Sequence, residues 1–338
     1  MRRRSALVVL ALAVLCATLS PLLRWYAFPR LARVPAGQYQ VVVLEARNAT
    51  LLDYTRMKAV TVPKVSIVQT LRGDVAAARR VLRETGRHVV VWDGLSYVAD
   101  PRGRMVSEIP ERYVFDAHSQ APVHAAGENV DGDPVRRTGI EYKWPFLTEK
   151  RDYDYFDPQT RTSAPIHYRG TRAFHGLTVY YFEQTVPWTR VPVPRKLPLG
   201  VTPAVVRAAG MERWYTTRRM FWVDPVTGAP VDGEEIHREE MRYPGRPGTP
   251  PLTAFAGDVR MRPDYVASTV ALVKSQRRLV LLLTTYLPWG LAGAGALLLA
   301  LALVLEARGR TVRAAGPAYR RGLVRRVGSA VAGSSGHG

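Results

Sequence analysis

Cysteine is almost absent: Cys16 is the single one in 338 residues. No disulfide can form within the chain, and no cysteine-rich metal cluster can be built. Lysine is scarce as well, six residues against 42 arginines, while alanine is abundant. That bias is what a GC-rich genome produces, and it weakens nucleic-acid binding as the reason for a formal charge of +20. The signatures of common catalysts are missing too. There is no GxSxG, HExxH, CxxC, Walker loop or GxGxxG after a strand, so the chain reads as a non-enzyme with no catalytic residue, no metal and no cofactor.

Two runs lack charge altogether. Ser5 to Leu23 covers 19 residues and Leu279 to Leu305 covers 27, and each is long enough to cross a bilayer as a helix. The start "MRRR" followed by an apolar run also fits a cleaved signal. Its exit, "CATLSPLLRWYAF", has no pair of small residues suited to cleavage, and Trp25, Tyr26 and Phe28 form an aromatic belt, so we read an uncleaved anchor. Cys16 lies inside it as a small apolar filler; Leu15 stands where an acylation site needs a small residue.

The positive charge is distributed by segment. Arg2 to Arg4 contribute +3 and the tail after Leu305 contributes +6. Short basic flanks resist translocation, whereas a long domain crosses regardless of its charge. The expectation is a two-pass protein of the plasma membrane with both termini cytoplasmic and the middle outside. Arginines next to the membrane suit anionic headgroups, so membrane lipids are the expected partners and nucleic acid is not. The expected segments are 1–29 (tip and first anchor), 30–263 (external domain), 264–285 (membrane-proximal helix), 286–305 (second anchor) and 306–338 (basic tail).

The middle reads mainly as β structure. "GQYQVVVLEA", "AVTVPKVSIVQTLRG" and "RHVVVWDGLSYVAD" are rich in β-branched residues with partial period-two alternation. Between them, Asp74 as cap and Gly86 as stop predict a short helix over "VAAARRVLRET". "ADPRGRMV", "FDAHSQAPV", "FDPQTRTSAP" and "VDPVTGAPV" each place Asp after an apolar residue and before turn formers, the chemistry of a hairpin corner. Asp224 is therefore a turn residue; a phosphoryl-accepting aspartate needs Mg²⁺-binding carboxylates and a lysine that its surroundings do not supply. The fold class is mainly antiparallel β, α+β overall: a curved sheet in the external domain, with an internal duplication (38–125 and 140–245) among its possible origins, flanked by two transmembrane helices.

Candidate sites are few. His118, His124 and Asp116 carry metal-ligand chemistry on one loop, a combination that chance also produces. Glu235, His237 and Glu239 would share one strand face, read as a solvated face interleaved with arginines. "EYKWPFLTEKRDYDYFD" is the densest aromatic cluster. Alternation places Tyr142, Trp144 and Phe146 on one strand face, and Val179 and Tyr181 on one face of a neighbouring run. These five residues are the candidate apolar wall, either a sheet core or a groove for an apolar ligand. In the second anchor, Gly290 with Ala294 and Ala292 with Ala296 have the four-residue spacing of close helix contacts, matched by Ala13 and Ala17 in the first. Helix–helix or homo-oligomer contacts are expected there.

Four runs carry a family resemblance: Lys143 to Lys150 ("KWPFLTEK"), Tyr155 to Asp157 ("YFD"), Gly176 to Gln184 ("GLTVYYFEQ") and Trp222 to Gly228 ("WVDPVTG"). With them the chain resembles the PorA family of actinobacterial membrane proteins over nearly its whole length. The resemblance implies a cell-envelope protein and is nearly silent on mechanism. A closed outer-membrane barrel would need many lipid-facing strands and no long apolar helix. The strand order is also similar to the curved sheets of envelope lipoprotein carriers. The expected function is handling of a hydrophobic envelope component by the external domain, with a pore or assembly subunit and a structural interaction module as alternatives.

Overall fold

The computed structural model describes residues 2–314 except Pro247. Most of the basic tail, from residue 315 on, lies outside the described residues. The chain forms two compact units, Met1–Phe28 with Leu282–Gly338, and Pro29–Leu281.

The first unit is an antiparallel helical pair. Helix α1 (Arg2–Pro21) is followed by a π-helical turn, Leu22–Ala27, and by the short α2 (Phe28–Leu31), within which the second unit begins at Pro29. Two apolar helical runs, Arg4–Leu31 and Pro263–Arg308, are long and apolar enough to cross a membrane. The Ser20 hydroxyl donates to Pro288 O at 2.8 Å. The small-residue contact falls one position from the expected stripe. A Cβ at Gly295 would stand 3.3 Å from Ala13 O and 3.4 Å from Cys16 Cβ, whereas Gly290 and Gly293 face open space.

The second unit is one 12-stranded antiparallel meander: β1 (Tyr39–Asp53), β2 (Lys58–Gly73), β3 (Val89–Ala99), β4 (Met105–Asp116), β5 (Asn129–Val130), β6 (Asp133–Pro134), β7 (Tyr153–Asp157), β8 (Thr162–Phe174), β9 (Leu177–Val191), β10 (Glu212–Val223), β11 (Pro230–Arg242) and β12 (Leu252–Met261). Its order runs from β6 down to β1, across to β12, and down again to β7. The first and last strands pair at its centre, so the two edges are made by the middle of the chain.

Those edges meet. Ile140, just after β6, bridges Tyr155 of β7 through Ile140 N to Asp154 O (2.9 Å) and Phe156 N to Ile140 O (2.8 Å). Gly139 permits this approach, because a Cβ there would lie 2.3 Å from Asp154 O. Ion pairs continue the seam, with Asp133 binding Arg161 at 2.6 Å and Arg195 at 2.5 Å. The sheet thus winds round an interior instead of lying open, which is one way of removing exposed edges.

Local chemistry accounts for the corners. Helix α3 (Val75–Thr85) starts where Asp74 accepts from Ala77 N at 2.9 Å and stops at Gly86, φ +70°. At the four expected corners the Asp side chain accepts from amides two to four residues on: Arg102 and Arg104 to Asp100, His118 and Ser119 to Asp116, Gln159 and Thr160 to Asp157, and Thr227 to Asp224.

One other reading is corrected. Residues 142–146 form an irregular strap, not a strand. Proline at 145 and the docking of this segment onto the β10–β11 turn explain why: Trp144 N donates to Gly228 O at 2.9 Å and Leu147 N to Val226 O at 3.1 Å. The membrane-proximal helix is tied to the sheet. Helix α5 (Pro263–Leu281) packs Val266, Val270 and Val273 against Leu177, Val179 and Val231, and Arg277 reaches the buried Asp224 carboxylate at 2.6 Å. Short α4 (Pro203–Ala208) covers another region with Val206, against Leu52, Met241 and Ala254. After a π-helical turn, Leu282–Tyr286, helix α6 (Leu287–Ala314) completes the described chain.

Candidate functional site: the cavity of the wound sheet

The wound sheet encloses a cavity of about 240 Å³. Because side chains alternate across a strand, each strand offers the interior every second residue. Strands β1 to β4 contribute a mostly apolar wall: Val42 and Leu44, Ile67 and Leu71, Val98, Val106 and Ile109. Phe255, Val259 and Met261 of β12 continue it.

The facing wall, on β10 and β11, is charged. Arg213, Tyr215 and Arg219 alternate inward on β10, and Glu235, His237 and Glu239 on β11. Arg213 pairs with Glu239 at 2.5 Å, and Arg219 with the corner residue Asp157 at 2.7 Å. The His237 ring bridges Glu235 (3.2 Å) and Glu239 (2.7 Å). Burial opposes charge on His237, but its hydrogen bonds to both glutamates outweigh this and lift it to about 9. Burial likewise opposes ionisation of Glu239, and Arg213 with His237 overcomes it and holds the carboxyl at about 2; Glu235 is lowered by Arg219 and His237 against the same penalty. The strand-face grouping of Glu235, His237 and Glu239 is as the sequence implies, but the face is inward. It is interleaved with arginines from the neighbouring strand and is not a solvated surface.

A second polar cluster lies where the sheet edges meet. Arg137, fully buried, binds Glu111 and Glu141 at 2.7 Å each and Glu128 at 3.4 Å, with its guanidinium over the rings of Tyr113 and Phe156. Burial raises Glu111, and burial together with the Glu111 charge raises Glu141 well above the usual carboxylate range. Glu141 Oε1 is buried and has no hydrogen-bond partner among the described residues. Tyr142 also donates to Glu111.

Of the five aromatic and apolar candidates, Tyr142 alone lines this cavity. Trp144 is fully buried in a core with Tyr155, Phe182 and Phe221, ring centroids 5.9, 5.1 and 5.3 Å away. Phe146 lies under the Lys143 ammonium, 3.8 Å from the ring centroid. Val179 packs against α5, and Tyr181 stacks near Trp222 under Arg172. The structure does not bring the five to one surface. His118 and His124 also separate: His118 Nδ1 contacts Ala32 O at 2.7 Å and His124 faces Glu128. Among the described residues no three potential ligands are grouped to hold a metal ion.

The lining from β1 to β4, and Arg137, Arg213 and Arg219, escaped the sequence reading. The available signal was the alternation "ERWYTTRRMF", which puts Arg213, Tyr215, Thr217, Arg219 and Phe221 on one face without saying which face is inside.

The cavity-bearing β unit is accompanied by two helical runs long and apolar enough to cross a membrane. The chain belongs to the PorA family: the family profile described as Porin PorA matches residues 5–304. Similar proteins include one named Porin PorA from Corynebacterium resistens, 25% identical over 281 residues covering 61% of this chain and 68% of that one. Another of the same name, from Corynebacterium amycolatum, is 22% identical over 298 residues covering 68% and 75%. The four runs that carry the resemblance contribute to one structural node: the strap docks on the β10–β11 turn, and Trp144 packs on Tyr155 and Phe182.

Proposed function

We propose that the β unit takes up an apolar or amphiphilic envelope molecule in the cavity of its wound sheet. The observation that carries this is the cavity of about 240 Å³ itself, with an apolar wall from β1 to β4 facing a charge-compensated wall. Concave, mainly apolar sites with a few placed polar groups are the common form of small-molecule sites. On this reading the protein is no enzyme, membrane lipids surround its helical pair, both termini are cytoplasmic and the β unit is extracytoplasmic. Likeness to lipoprotein carriers and an internal duplication belong to the same reading; a helix after the second long strand of the first half (α3) and another between β9 and β10 (α4) support the latter.

A conducting pore is the second reading, favoured by the name Porin PorA borne by the relatives. One variant separates the two. Val98→Trp fills the cavity, so native mass spectrometry of the full chain released from nanodiscs should show co-purified lipid on the wild type and little on the variant. Wild type without bound lipid, and with conductance steps in planar bilayers that Val98→Trp abolishes, would replace the first reading with the second.

A further inference from the structure

On the cavity-binding reading, on which this inference rests, the lining also bears on the head of the ligand. Its inward cations are committed. Arg213 is held by Glu239, Arg219 by Asp157, and His237 by Glu235 and Glu239; Arg137, which is not part of the lining, holds the lining residues Glu111 and Glu141. An anionic head would have to take a cation from its carboxylate, leaving a buried charge without a partner, which is strongly unfavourable. A cationic head faces the same obstacle with signs reversed at Glu111, Glu235 and Glu239, and at Glu141, whose Oε1 has no partner, burial disfavours the anion that such a head would need.

The neutral polar groups of the lining are in the opposite condition. Tyr54, Gln69, Ser96, Ser107 and Tyr155 all face the cavity, and no hydrogen-bond partner is found for their side chains among the described residues. None is sealed within the packing, where an unpaired polar atom would be costly. Four are hydroxyls and one is an amide, and all five both donate and accept. Water satisfies such groups in an empty cavity; a ligand that displaces it must offer matching donors and acceptors or lose affinity.

We propose that the cavity selects an uncharged, hydroxyl-bearing amphiphile, a polyol- or sugar-type head on an alkyl chain, over phosphate, carboxylate or ammonium heads. The neutral polar groups, three of them set among the apolar residues of β2 to β4, meet the head, and the apolar residues of β1 to β4 and β12 meet the chain.

The test uses the full chain in nanodiscs and three photoactivatable probes with the same diazirine-bearing octyl chain: an octyl glucoside, an octyl phosphate and an octyltrimethylammonium. Adducts on peptides from β2 to β4 are counted against probe concentration. The glucoside should label these peptides saturably at roughly tenfold lower concentration than either charged probe. The triple variant Ser96→Ala, Ser107→Ala, Tyr155→Phe should erase that advantage while melting within a few degrees of wild type. Equal labelling by all three probes, or preference for a charged one, would overturn the assignment of the head and leave the cavity-binding reading intact. Absence of saturable labelling by any probe would overturn both. An advantage of the glucoside that persists in the folded triple variant would show that the hydroxyl set is not its source, and would overturn the proposal.

Discussion

Asp224 Oδ1 accepts from Arg277 Nη1 at 2.6 Å, while its Oδ2 accepts from Thr227 N at 2.8 Å and the Thr227 hydroxyl at 2.9 Å. One fully buried carboxylate therefore shapes the β10–β11 turn and fastens helix α5 to it. A turn residue alone would tolerate Asn; this one is also half of an ion pair. Asp224→Ala should cost roughly 3 to 5 kcal/mol by thermal unfolding, as expected for removing one partner of a buried pair. In a double-mutant cycle with Arg277→Met the two changes should be less than additive. Strict additivity would refute the coupling.

Gly228 is the tightest point of the same turn. It has φ +72°, and a Cβ there would fall 2.2 Å from Trp144 O and 2.4 Å from Pro145 O. Gly228→Ala should destabilise by at least about 3 kcal/mol, combining left-handed backbone cost with displacement of the strap. Gly210→Ala is the control: φ is +71° but open space surrounds it, so the loss should stay near 1 kcal/mol. Similar melting shifts for both variants would refute the docked strap.

Trp144 should behave as a core residue. Trp144→Ala should cost about 3 to 5 kcal/mol, and any bound lipid should be lost only as the domain unfolds. Lipid loss at temperatures where circular dichroism still reports the native fold would place Trp144 at the ligand instead.

His237 should impose a pH dependence. Its pKa is raised in the folded state, to about 9, from an unfolded value near 6.5. The stabilisation is therefore complete below about pH 6.5 and lost as pH rises through 9, an effect on the order of 3 kcal/mol. His237→Gln should flatten the stability profile over that interval. An unchanged slope would show that His237 is not held as an imidazolium between Glu235 and Glu239.

The helical pair offers a chemical ruler. Cys16 is the sole native cysteine, and a Cβ at residue 295 would lie 3.4 Å from its Cβ, near the range that disulfides need. Gly295→Cys should form an intramolecular disulfide with Cys16 under mild oxidation, seen as a loss of two protons in the intact mass. Gly293→Cys, which faces open space, should not.

Chain-local chemistry was enough to place much of this protein. Uncharged runs identified the apolar helices, Asp74 and Gly86 bounded α3, and corner aspartates marked the turns, because each depends on residues only a few positions apart. The family was legible for the same reason, in short runs such as "KWPFLTEK" and "WVDPVTG".

Tertiary structure decided what alternation leaves open. Period two groups Glu235, His237 and Glu239 on one face, but only the winding of the sheet turns that face inward against Arg213 and Arg219. The aromatic cluster at 142–146 had the right composition for a strand, yet its backbone bonds go to the β10–β11 turn, about eighty residues away in the chain. The cavity wall comes from β1 to β4 and β10 to β12, strands of one winding sheet whose edges meet where Ile140 bridges Tyr155. A contact between distant segments leaves no periodic trace in either one, so the sequence alone determined the elements and the fold decided which of their faces enclose a site.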